Sequence, residues 1–135
     1  MVQMFANYKG EKHCEVIHGP SKSKIGTDAP KDNNGKGELF SPTDLLGAAL
    51  GTCMLTTMAI MGEKEGLQIK GSHCTVEKEM IANPRRIGKL IVQLHLPSAT
   101  EIADRSKLES WAKNCPVTKS LHPELEIPIQ FFYDV

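Results

Sequence analysis

The segment SPTDLLGAALGTCMLTTMAIMGEKEG, from Ser41 to Gly66, restricts this chain more than any other stretch. Its apolar residues include Leu45, Leu46, Leu50, Cys53, Met54, Leu55, Met58 and Ile60, and wound at 3.6 residues per turn they surround a helix on nearly every side. A helix apolar all round has no face to give to water, so it belongs inside a structure. Its ends are marked. Ser41 suits the N-cap, Pro42 the first helical position, and Asp44 stands where a side chain can return the bond of a capping box. Gly66, after the polar turn Glu63, Lys64 and Glu65, suits the stop.

The flanks must supply the cover. Residues 1 to 28 break into VQMFANY, HCEVIH and KSKIGTD, separated by Gly10, Gly19 and Pro20, and predict a meander of antiparallel strands. APKDNNGKGELF reads as a loop. LQIKGSHCTVEKEMIA and RRIGKLIVQLHLP have a period near two and are joined by Asn83-Pro84, which predicts a hairpin over the central helix. SATEIADRSKLESWAKN predicts an amphipathic helix capped by Ser98 or Thr100, PVTKSLHPE a short helical turn, and IPIQFFYDV a last strand. The expected fold class is α+β, antiparallel strands around a long buried helix, in one domain spanning residues 1–135. A helix of this kind and two long strands exceed what a small monomer can cover, so a homodimer is expected.

Charge narrows the partners. The 135 residues carry 16 Lys plus Arg against 16 Asp plus Glu, and phosphate binding runs on an excess of the former. Nucleic acid and anionic membranes are not expected as partners. No uninterrupted apolar run reaches the roughly 18 residues of a membrane span, and MVQMFANYKGEKH does not read as a leader, so a cytoplasmic protein is expected.

The four cysteines, Cys14, Cys53, Cys74 and Cys115, form no CxxC pair. No metal or other cofactor is expected. In a reducing compartment, thiols that do pair are usually catalytic or redox-sensing. Cys53 lies mid-helix, just after Gly47 and Gly51, small residues one turn apart that allow close approach. Cys115 precedes Pro116, which puts it at a helix start where free N–H groups favour a thiolate. Cys14 and Cys74, in strand-like runs, read as small core residues. Among the histidines only His122, close after Cys115, is a candidate for chemistry.

GELFSPTDLLGAALGTCMLTTM resembles the central helix of the OsmC and organic hydroperoxide resistance (Ohr) proteins, and NCPVTKSLHPE resembles their second-cysteine motif; TDAP before the loop is also similar. The resemblance implies an OsmC-like fold of six main strands and two helices, in an intertwined homodimer with active sites at its interface. It implies a thiol-dependent peroxidase that reduces organic hydroperoxides, and to some extent hydrogen peroxide, in oxidative stress defence. Cys53 would be the peroxidatic thiolate and Cys115 the resolving thiol, reset by an external thiol or dithiol.

Two departures bear on this. The arginine that members of the family carry in the N-terminal strand region is missing, the first here being Arg85, and Lys9 and Lys12 of KGEK are the cations left near that place. The position of the family's helix-start Glu falls on Thr43, with Asp44 next to it. Asp44 is about 180° around the helix from Cys53 and better placed to cap Ser41. These departures keep open a second reading, a non-catalytic or redox-sensing relative that binds a small apolar ligand or thiol carrier at the dimer interface.

Overall fold

A computed structural model describes residues 1–135, which form two compact units, Met1–Leu46 and Gly47–Val135. The first holds the meander: β1 (Met4–Gly10), β2 (His13–His18) and β3 (Lys24–Asp28) pair antiparallel in sequence order. The β1–β2 turn forces Glu11 and Lys12 to positive φ, 50° and 60°. Within this unit Met4, Phe5, Tyr8 and Ile25 remain largely exposed.

Asp28 anchors the loop that follows. Its backbone N–H donates to Phe40 O at 3.1 Å, and its buried carboxylate accepts from His13 Nδ1 at 2.8 Å and from the Glu38 N–H at 3.3 Å. The His13 bond first of all holds the Asp28 carboxyl below its ordinary range, against the opposing effect of burial. Gly26 makes room: a Cβ there would lie 2.7 Å from Leu39 Cδ1 and 3.2 Å from His13 Cε1. The loop is thereby delivered to Ser41. There the expected capping box forms, with the Ser41 N–H donating to Asp44 Oδ2 at 2.8 Å and the Asp44 N–H to Ser41 Oγ at 3.1 Å. This opens α1 (Pro42–Lys64), and Gly66, at φ 74°, follows its end.

In the second unit Gly47, Leu50, Gly51, Met54, Met58 and Gly62 form the buried stripe of α1. They face a sheet of β4 (His73–Ile81), β5 (Arg86–Leu96) and β6 (Ile129–Tyr133), in that order. Leu90, Val92, Leu94 and Leu96 of β5 complete the core with Leu108 and Ala112 of the next helix. The two glycines let the sheet, rather than another helix, come close. At Gly51 a Cβ would meet Cys74 Sγ at 2.8 Å and Val76 Cγ2 at 3.0 Å, and at Gly47 it would meet Val76 Cγ1 at 3.5 Å.

Three features differ from the sequence reading. The chain buries α1 on one side only, leaving Ile60 53% exposed, because a single sheet covers a single face of a helix. By length and apolar composition this helix would suffice to cross a membrane, although no uninterrupted apolar run does; its buried stripe packs as that of a core helix. Second, the hairpin β4–β5 is antiparallel as expected, but β6 runs parallel to β5. The helices α2 (Ile102–Lys113) and α3 (Pro116–Ser120) form the crossover that returns the chain to the same end of the sheet. Third, neither Ser98 nor Thr100 caps α2. Glu101 occupies the N-cap with no side-chain bond, while the Thr100 N–H turns back to Pro97 O and its carbonyl accepts from Arg105 Nε at 3.3 Å. The fold class is α+β.

Candidate active site

Cys53 sits on the flank of α1. At 100° per residue it is about 130° from the centre of the buried stripe, between that stripe and the exposed positions Ala49, Thr52, Thr56 and Ile60. Its thiol is half-buried and lies 4.0 Å from Thr57 Oγ1, one turn on. Cys115 is the N-cap of α3 with Pro116 at the first helical position, as expected from the sequence. Unlike Cys53 it is wholly buried, with Sγ 3.2 Å from Thr118 Oγ1. Both cysteines pack on the same apolar cluster, Cys115 within it and Cys53 against it. All four cysteines are free thiols.

The sequence reading overlooked the two threonines. The signal was present, since Thr57 follows Cys53 by one helical turn and Thr118 is the third residue of α3. A hydroxyl beside sulfur can accept from the thiol or donate to the thiolate, so it supports either protonation state without adding charge.

The other candidates are occupied differently. Asp44 is taken by the capping box, and Thr43 Oγ1 lies 3.1 Å from Ser41 Oγ, so both serve the helix start. Lys12 Nζ donates to Asn34 O at 2.8 Å, and Lys9 Nζ is 3.9 Å from Glu15 Oε1. His122 accepts the Glu124 N–H on Nδ1 at 3.2 Å, which makes it part of a turn. Cys74 faces the helix at Gly51, and burial raises its pKa, which keeps it a thiol. No group of three or more His, Cys, Asp or Glu side chains is arranged to hold a metal ion.

The family model described as OsmC-like protein matches residues 35–130. Among solved structures, a Psychrobacter arcticus protein whose name associates it with osmotic stress and the detoxification response is 36% identical, with a TM-score of 0.92 over 97% of this chain and 96% of that one. An organic hydroperoxide resistance protein OsmC of Legionella pneumophila is 18% identical, with a TM-score of 0.76 over 98% and 96%. One from Elizabethkingia anophelis is 13% identical, with a TM-score of 0.80 over 99% and 96%. The latter two likenesses are of fold alone. No curated protein matches the chain.

Proposed function

Because this chain belongs to the OsmC-like family, we propose that it is a cysteine-based peroxidase that reduces organic hydroperoxides, and hydrogen peroxide to a lesser extent, in the cytoplasm. The observation that carries the reading is the unequal exposure of its two motif cysteines: Cys53 is reachable from solvent, Cys115 is not. A nucleophile must meet its substrate, and of the two thiols only that of Cys53 is open to one. Access supports Cys53 as the attacking thiol.

The Cys53 thiolate attacks one oxygen of ROOH, the O–O bond breaks, and the departing alkoxide takes a proton to leave as ROH. The sulfur is oxidised to sulfenic acid. Cys115 then attacks that sulfur, a disulfide forms, and hydroxide leaves with a proton as water. Two equivalents of an external thiol, or one dithiol, reduce the disulfide and are themselves oxidised. A homodimer belongs to the proposal, since Leu46 and Ile60 on α1, and Phe5, Tyr8 and Ile25 in the first unit, are apolar surface that a second copy would cover.

Intact-mass spectrometry after limiting cumene hydroperoxide tests the roles. Cys53→Ser should abolish turnover, whereas Cys115→Ser should complete one reduction and then over-oxidise on Cys53. Sulfinic acid on Cys115 in the Cys53→Ser protein would reverse the assignment. Peptide mapping of the oxidised wild type should join Cys53 to Cys115, and a Cys14–Cys74 bridge would overturn it. The remaining requirement is a cation for Cys53. Lys9→Gln and Lys12→Gln, read by the rate of sulfenic acid formation, test the two candidates. One observation favours the binding-protein reading: the carboxylate nearest the family's glutamate position, Asp44, is engaged by Ser41. Absence of oxidation at both cysteines would select it.

A further inference from the structure

The run Asn114, Cys115, Pro116, Val117, Thr118 places a hydroxyl three residues after a cysteine, and α3 brings the two together. Cys115 is the N-cap and Thr118 the third residue of the helix, the two positions that a capping box joins. Pro116, at the first helical position, fixes φ between them. The Cys115 main chain is tied on both sides: its N–H donates to Ala112 O at 3.3 Å, and its carbonyl accepts from the Lys119 N–H at 3.2 Å. With the main chain held, χ1 alone moves the sulfur.

The Thr118 hydroxyl meets the sulfur on that torsion, with Oγ1 3.2 Å from Sγ. Sγ accepts no backbone N–H of α3, and Cys115 is wholly buried, so this hydroxyl is the polar partner that the sulfur has. Threonine is β-branched and stiff at χ1, which makes its hydroxyl a firm anchor. The corresponding separation at Cys53 is 4.0 Å, to Thr57 Oγ1, so the two hydroxyls are not equivalent.

We propose that Thr118 is a positioning residue for the resolving step: it holds the Cys115 sulfur in place for attack and donates to it while the sulfur carries negative charge. The inference rests on the peroxidase reading and refines it. The nucleophile in such a step is the thiolate, and a buried anion without a donor is costly. Cys115 gives up its S–H proton and its sulfur forms the S–S bond. The S–O bond of the Cys53 sulfenic acid breaks, and the departing hydroxide and the proton make water. The Thr118 hydroxyl keeps its own proton throughout. Because resolution competes with a second peroxide for the sulfenic acid, Thr118 sets how much peroxide the enzyme tolerates before it over-oxidises.

Rapid mixing of the full chain with one equivalent of cumene hydroperoxide, quenched at intervals with dimedone and read by intact mass, follows both steps. Sulfenic acid should appear and give way to disulfide. Thr118→Val removes the hydroxyl and keeps the branched shape. It should leave sulfenic acid formation on Cys53 as in the wild type and slow disulfide formation about tenfold, the change expected for one hydrogen bond. Sulfinic acid should then accumulate at lower peroxide concentration. Thr118→Ser should recover most of the loss. In Cys115→Ser, which has no resolving thiol, adding Thr118→Val should leave the rate of over-oxidation unchanged, a result that a merely structural Thr118 would not give. Disulfide formation at the wild-type rate in Thr118→Val, or slowing in Thr118→Ser as large as in Thr118→Val, would overturn the proposal and leave the peroxidase reading intact. A wild type that forms no sulfenic acid on Cys53 would instead overturn that reading, and the proposal with it.

Discussion

Gly47 and Gly51 offer two identical substitutions in one helix with opposite expected signs. Replacing a helix-interior glycine by alanine contributes about 1 kcal/mol through backbone entropy and propensity. At Gly47 the new methyl would meet Val76 Cγ1 at 3.5 Å and Leu90 Cδ2 at 3.7 Å, which is ordinary contact. Gly47→Ala should therefore stabilise the protein by about 0.5–1 kcal/mol. At Gly51 the methyl would meet Cys74 Sγ at 2.8 Å and Val76 Cγ2 at 3.0 Å. Neither neighbour is the far end of a flexible chain: valine is stiff at χ1, and cysteine is short. Overpacking of this kind costs about 1–3 kcal/mol, which exceeds the propensity gain, so Gly51→Ala should be destabilising by about 1 kcal/mol net. The two variants should differ by about 2 kcal/mol, or roughly 6–10 °C in Tm for a chain of this size. Urea and thermal unfolding followed by circular dichroism, at one protein concentration because the stability of the proposed dimer would depend on it, would measure this. Cys74→Ala should relieve part of the clash and couple to Gly51→Ala by about 1 kcal/mol. If Gly51→Ala proved as stable as Gly47→Ala, or the coupling fell within about 0.3 kcal/mol of zero, the close approach of β4 to α1 would be refuted.

Ser41→Ala should cost about 1 kcal/mol by removing the cap that accepts the Asp44 N–H, and amide exchange should show the loss concentrated in the first turn of α1. Asp28 has a lowered pKa in the folded chain, so its contribution is present above the unfolded carboxyl value near 3.9 and is lost as the pH falls through the lower folded value. His13→Ala should accordingly move the acid limb of unfolding to higher pH; an unchanged limb would remove the His13–Asp28 pair from the account. Tyr133 behaves oppositely, since burial and then Glu109 push its pKa up to about 12. Its contribution is complete below the ordinary phenol value near 10 and is lost as the pH rises toward 12. Tyr133→Phe should flatten that alkaline decline and, by deleting a hydroxyl 3.3 Å from Arg105 O, cost about 0.5–1 kcal/mol at neutral pH.

What could be read from the residues alone was local. The capping box of α1, the break at Gly66, the meander, the β4–β5 hairpin and the place of Cys115 at the start of α3 each depend on neighbours within a few residues, or on a period of two or 3.6 that side chains must obey wherever the element lies. The two cysteine motifs are legible for the same reason. The side of α1 that meets the sheet was not legible, because a helix apolar all round carries no periodic signal, and Gly51 against Cys74 decides it only when both are in place. The parallel course of β6 follows from how α2 and α3 carry the chain back, and the missing side-chain cap on α2 from Thr100 being drawn toward Pro97. The same holds for the pairing of His13 with Asp28, the stack of His73 on His95, and the exposure of Cys53 beside the burial of Cys115. These are contacts between residues distant in the chain, and strand register and packing set them. Sequence spacing is silent about which distant side chains become neighbours, and the tertiary structure alone chooses them.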